Sequence, residues 1–180
     1  RAKNLNRAHV YPIGALTQGL RGERLTEMAE LNDAGCVVFG QPDGLLPNLR
    51  VLMQAMRYAS TFNFSVWLRP QEISLTNDGV AHDGEVATRL GLPTVPICAE
   101  TIAISNIILL AKETGVRVHL CRISSAEGLT MVRAAKQQGL PMTCDVTINH
   151  LHLSDMDIGF FDSNCHLMPP LRGLSDRNAL

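Results

Sequence analysis

The chain has 180 residues, 46% of them hydrophobic, with a formal net charge of −1. That is enough apolar material for one sizeable core, and the near-neutral balance excludes a broad cationic face for nucleic acid or membrane. Aromatics make up only 4%, so small branched side chains fill the interior, and with no leader pattern and no apolar run of spanning length the sequence reads as soluble and cytoplasmic.

In chain order, apolar strand-like runs alternate with helical patterns. The first strand is expected at 8–13 (AHVYPI) and the first helix at 23–33, with apolar positions Leu25, Met28, Ala29 and Leu31. A strand at 35–39 (GCVVF) and a helix at 47–62 with Leu49, Leu52, Met53, Met56 and Ala59 on one stripe come next. After the strand 64–68 (FSVWL) comes a Gly- and Pro-bearing connection, 69–96, which reads as irregular with one short helix near 83–90. A strongly apolar helix at 97–114, a strand at 116–121 (VRVHLC), a helix at 125–138 and a strand at 141–146 (PMTCDV) complete the series. Near the end, Ser175 is a plausible N-cap of a further helix. NDAG, KETG and KQQG each place a glycine at a helix end just ahead of a strand, where a left-handed C-cap is wanted. The pattern is that of about five βα units with a parallel sheet, in one domain over 1–180. A closed (β/α)8 barrel takes about 250 residues, so the expectation is a partial barrel with strands missing at both ends. No GxGxxG or GxxxxGK[ST] loop follows any strand, which weakens a nucleotide-binding open sheet.

Five cysteines (36, 98, 121, 144 and 165) are odd in number and without a CxxC pair; they read as reduced, mostly buried thiols. In parallel α/β folds the chemistry sits at the carboxyl ends of strands. Those ends carry Asp43, then Arg69 and Glu72, then Arg122 with Ser124 and Ser125, then Asn149, His150 and His152, and further on Asn164, His166 and Arg172.

The blocks NRAHVYPIGALTQGLRGERLTEMAEL, DGEVATRLGLP and MPPLRGLSDRNAL resemble the dihydroorotases of the long bacterial type, members of the amidohydrolase superfamily. The resemblance runs over essentially the whole chain and implies the middle of a (β/α)8 barrel. It also implies a zinc-dependent hydrolase whose metal, held by imidazoles and carboxylates, lowers the pKa of a bound water. Family members read SDDG, SHCED and HVST at the first three strand ends, where this chain reads GQPDG, LRPQE and RISS. Pro42 or Gln41 falls at the ligand aspartate and Asp43 at the one after it. Arg69 and Arg122 replace the two ligand histidines, and Met168 replaces the asparagine implied in substrate contact. The family's HxH pair would lie ahead of Arg1.

A guanidinium stays protonated and has no free lone pair, so it cannot ligate zinc. Each fixed positive charge would repel the ion by roughly 4 kcal/mol per unit-charge pair at about 4 Å and an effective dielectric near 20. The expectation is therefore a catalytically inactive homologue, without catalytic residues, metal or cofactor. Its former active-site positions are Asp43, Arg69, Glu72, Arg122, Asn149, His150 and Met168. The resemblance implies a structural partnership with the catalytic subunit of aspartate transcarbamoylase, in a homo- or hetero-oligomer. The alternative is an active zinc-dependent dihydroorotase that interconverts N-carbamoyl-aspartate and dihydroorotate. The two arginines either fill the old cavity and pair with Asp43, Glu72 or Asp145, or they bind an anion. His150 and His152 mimic a metal motif but read as structural or surface residues. His119 reads as a hydrogen-bonded core histidine, Ser124 and Ser125 as caps of the next helix, and Cys165–His166 as a nucleophile pair only by adjacency.

Overall fold

In the computed structural model, residues 8–41, 48–76 and 78–180 are described. Five strands form one wholly parallel sheet: β1 (Ile13–Ala15), β2 (Val38–Gln41), β3 (Ser65–Leu68), β6 (Arg117–Leu120) and β7 (Met142–Cys144), in the order β1-β2-β3-β6-β7. The helices between them are α1 (Met28–Asp33), α2 (Leu49–Thr61), α4 (Cys98–Thr114) and α5 (Ala126–Gln137). This is the repeated βα arrangement that the glycine-terminated helices imply. Gly115, at φ 67, caps α4 in the left-handed region, and Gly139 sits at φ 82 after α5. A side chain at either position would be strained, and the glycine lets the chain turn straight into the next strand.

The strands sort their side chains by period two. Phe39, Val66, Val118 and Met142 pair in register across β2, β3, β6 and β7, and all four are buried against α2, α4 and α5. The neighbouring register line, Ala15–Gly40–Trp67–His119–Thr143, points to the opposite face. That face is concave and bounds a cavity of about 560 Å³ lined by residues from all five strands or their ends, among them Ile13, Gly40, Trp67, Arg69, Cys121 and Asp145. Gly40 is required there: a Cβ would stand 2.7 Å from the Trp67 carbonyl oxygen.

Several boundaries move from the expected ones for visible reasons. The first strand lies at Ile13–Ala15 rather than 8–13, because the pairing partners offered by β2 begin at Val38, and residues 8–12 are exposed. Helix α1 begins at Met28, not near 23, because the segment before it is tied to the end of β1. Thr17 and Leu25 form an antiparallel bridge, the Thr26 amide donates to the Leu16 carbonyl, and the Thr26 hydroxyl donates to the Ala15 carbonyl at 2.5 Å. The connection expected to be irregular holds α3 (Glu85–Leu90) and two very short parallel strands, β4 (Ala81–His82) and β5 (Thr94–Val95). Their small core of Ala81, Val86, Ala87, Ile158, Cys165 and Leu171 is separate from the main one. Two further short helices are α6 (Ile148–His152) and α7 (Leu174–Ala179). Gly173, rather than Ser175, precedes α7 as its N-cap. No helix among the described residues is long and apolar enough to cross a membrane.

Candidate functional site

The carboxyl ends of β3, β6 and β7 converge on the concave cavity. Arg69, one residue beyond β3, is buried and lines it. Arg122, two residues beyond β6, has φ 59 and lines it as well. Its amide donates to Asp145 Oδ1 at 2.8 Å, and its guanidinium donates through Nη1 to the Met168 carbonyl at 3.2 Å. Arg122 therefore meets Asp145 through its backbone, and its charged end caps a peptide oxygen; the expected pairing of the guanidinium with a carboxylate is replaced by this carbonyl contact. Met168 contributes that oxygen from an exposed position.

Glu72 is turned out of the site. Its carboxylate accepts from the Ser74 amide at 3.3 Å and the Ser74 hydroxyl at 2.8 Å, capping a 3-10 turn. Asn149 is exposed on α6. His150 is fully enclosed: Nε2 lies 3.2 Å from the Pro170 carbonyl and Nδ1 2.7 Å from the Thr147 hydroxyl. A carbonyl only accepts, so Nε2 carries a proton. Burial holds its pKa below the ordinary histidine value, against the Pro170 hydrogen bond that raises it. His152 is exposed, so the HxH spacing separates these rings into different environments. Asp43 lies outside the described residues.

On the concave face, the His119 ring lies tilted at 41° against Trp67 with centroids 4.7 Å apart. Its Nδ1 lies 2.8 Å from the Thr143 hydroxyl and its Nε2 2.8 Å from Asp145 Oδ2. It faces the cavity side rather than the helix-packed core, because it falls on the Trp67 register line. The Cys121 thiol is pushed up to about 11, first by burial and then by Asp145, with Arg122 opposing.

Behind the cavity lies a polar network that the motif reading missed. Glu100 of α4 is 3% exposed and accepts four hydrogen bonds: from the Ser124 amide (3.0 Å) and hydroxyl (2.5 Å), and from the Ser125 amide (3.0 Å) and hydroxyl (2.6 Å). Ser125 also caps α5, accepting from the Gly128 amide at 3.0 Å. Arg172 is buried and donates to Ser124 Oγ (3.1 Å), to the Val95 carbonyl (2.6 Å) and to His82 Nδ1 (3.3 Å). Burial pulls its pKa down and Glu100 pulls it back up. Arg172 thus fixes the loop after β6 and spans to β5, outside the cavity. The signal in the sequence was a glutamate inside an otherwise apolar helix pattern, at Glu100. Cys165 donates to the Asp157 carbonyl at 3.3 Å and its thiol is raised by burial, while His166 is exposed, so the two do not form a nucleophile pair.

A family model described as dihydro-orotase-like matches residues 1–128. This chain belongs to the dihydroorotase-like family. It is 44% identical to the dihydroorotase-like protein of Pseudomonas putida and 37% identical to the dihydroorotase of Bacillus caldolyticus, in each case over 100% of this chain and 42% of the relative. The chain therefore spans well under half the length of these relatives. Its fold matches an L-hydantoinase (dihydropyrimidinase) from Arthrobacter aurescens with TM-score 0.77 at 17% identity, covering 94% of this chain and 39% of the other. A dihydroorotase from Campylobacter jejuni matches with TM-score 0.60 at 12% identity over 83% of this chain and 40% of the other. The α/β fold with its parallel sheet is thus shared with about two-fifths of each of these two chains. Arg69 and Arg122 themselves cannot hold a metal ion, because a guanidinium has no lone pair to donate.

Proposed function

We propose that this chain belongs to a non-catalytic dihydroorotase-like protein of pyrimidine biosynthesis, whose role is structural, as a partner of the catalytic subunit of aspartate transcarbamoylase. The observation that carries the reading is the pair Arg69 and Arg122. Both line the cavity at the strand ends where the family resemblance calls for metal-binding histidines. A hydrolase of this type needs a metal-activated water, and permanently charged groups at those positions oppose the ion instead of holding it. The partnership with aspartate transcarbamoylase comes from the family resemblance. The described residues meanwhile keep a helix-packed core and the Glu100 network. A structural partner needs that framework and does not need the metal.

One finding favours a second reading, an active zinc-dependent dihydroorotase: relatives at 36–37% identity carry the plain name dihydroorotase. Two measurements on the full-length protein separate the readings. The first is a dihydroorotase assay in both directions with added zinc, for which no turnover is expected. The second is affinity purification from the native cell, in which aspartate transcarbamoylase is expected to come down with the bait. Zinc-dependent turnover would overturn the proposal, and absence of the partner would remove its structural half.

A further inference from the structure

The concave face carries a second constellation, set back along the strands from Arg122 and made of residue types that bind transition metals. Its members are His119 of β6, Cys121 just after β6 and Asp145 just after β7, with one ligand atom from each lying within 4.8 Å of the other two. The geometry points to a three-ligand site for a borderline-soft divalent transition metal such as zinc or cobalt, built from His119 Nε2, Cys121 Sγ and an Asp145 carboxylate oxygen, with its fourth position open to the cavity. Imidazole, thiolate and carboxylate are the donors such ions take.

Three features of the surroundings fit this use. The Thr143 hydroxyl lies 2.8 Å from His119 Nδ1, so Nδ1–H can donate to it and leave the Nε2 lone pair facing inward, which is how supporting hydrogen bonds orient metal-bound histidines. The Arg122 amide holds Asp145 Oδ1 at 2.8 Å and leaves Oδ2 facing His119. Cys121 and Asp145 themselves line the 560 Å³ cavity, which gives an ion an entry path and room for a water or an added ligand. The 2.8 Å between His119 Nε2 and Asp145 Oδ2 is closed by a proton when no metal is present. On binding, the ring proton sits on Nδ1, where it donates to the Thr143 hydroxyl, the Cys121 thiol proton passes to solvent, and the two atoms part to the roughly 3.3 Å edge of a tetrahedron with bonds of about 2 Å. The site also answers the repulsion that disqualifies the neighbouring arginine positions. Both guanidinium charges remain in the same cavity, and thiolate and carboxylate together supply two negative charges that offset them and attract the dication. The inference does not rest on the non-catalytic reading, since a structural or regulatory ion here needs no turnover.

The test is titration of the full chain, under reducing conditions, with cobalt(II) as a spectroscopic stand-in for zinc. The expected result is a thiolate-to-cobalt charge-transfer band with tetrahedral d–d absorption, saturating at one equivalent and displaced by zinc. Cys121→Ser should abolish the band, while Cys98→Ser, at an exposed thiol elsewhere, should leave it unchanged. Thr143→Val removes no ligand and little volume, and should weaken binding by about tenfold or more; it serves as the readout if Cys121→Ser does not fold. Absence of the band in the unaltered chain overturns the inference. So does a band that survives Cys121→Ser, or equal affinity in Thr143→Val. A cobalt band with no dihydroorotase turnover leaves the proposed non-catalytic role standing. Turnover without a band at this site would sink that role and this site separately.

Discussion

At the residue scale, the organising group is a carboxylate that no motif marks. Glu100 is a buried anion whose oxygens are saturated by two amides and two hydroxyls of the loop after β6. It lies close enough to Arg172 to pull that residue's pKa upward against burial. Ser124 Oγ links the two, donating to Glu100 and accepting from Arg172, so removing Glu100 leaves four buried donors unpaired and the Arg172 charge without its anion. Glu100→Ala is therefore expected to lose about 3–5 kcal/mol of folding stability. Glu100→Gln, which keeps the volume and one acceptor, should lose less. Urea denaturation, with the midpoint shift read at unchanged slope, checks both; a loss below about 1 kcal/mol for the alanine variant would refute the assignment of Glu100 as the anchor of this loop.

At the element scale, α5 approaches α4 closely because of one glycine in its first turn. A Cβ added to Gly128 would stand 2.5 Å from Glu100 Oε1 and 2.9 Å from Ile104 Cδ1. Helix propensity alone favours alanine over glycine by about 1 kcal/mol. Here the extra methyl meets a carboxylate pinned by four hydrogen bonds, which cannot swing aside without breaking them. Gly128→Ala should accordingly destabilise, by about 1–3 kcal/mol as overpacked sites do. Thermal and urea unfolding would show it, and a stabilised variant would mean that α5 can slide away from α4. Ser125 links the two effects, since its hydroxyl both donates to Glu100 and caps α5. Most elements were legible in the sequence at this scale. The α2, α4 and α5 patterns and the last four strands of the main sheet lie within a few residues of their expected places, because period-two and helical burial both read directly from apolar spacing. The first strand and first helix shifted, since their boundaries depend on which backbone groups pair across β1, β2 and the Thr17–Leu25 bridge. The pair β4 and β5 went unseen because strands two residues long carry no period.

At the scale of the whole molecule, two imidazoles, His150 buried and His82 half-buried, tie folding to pH. Burial holds both His150 and His82 below the ordinary histidine pKa, and Arg172 adds a second downward push on His82. The unfolded chain binds more protons than the native one between the ordinary value, about 6.5, and the lower native values. The stabilisation is complete above about 6.5 and is lost as pH falls through the native values. Melting temperature should thus drop between about pH 7.5 and about pH 5.5, and the slope should flatten in His82→Gln, where no ring remains to charge beside Arg172. A melting temperature independent of pH over that window would contradict the lowered pKa of both rings.

The sequence by itself determined the βα grammar, the family, and the two arginines at strand ends, because these rest on apolar period, helix-stopping glycines and residue identity. The tertiary structure decided what those positions do. It alone showed that the Arg122 guanidinium caps a carbonyl, that Glu72 faces away, that His150 is sealed in while His152 is exposed, and that His119, Cys121 and Asp145 meet. Period two says which residues share a face of one strand; only the lateral register of the sheet says which residues of different strands become neighbours, and the chemistry of a site is made of those neighbours.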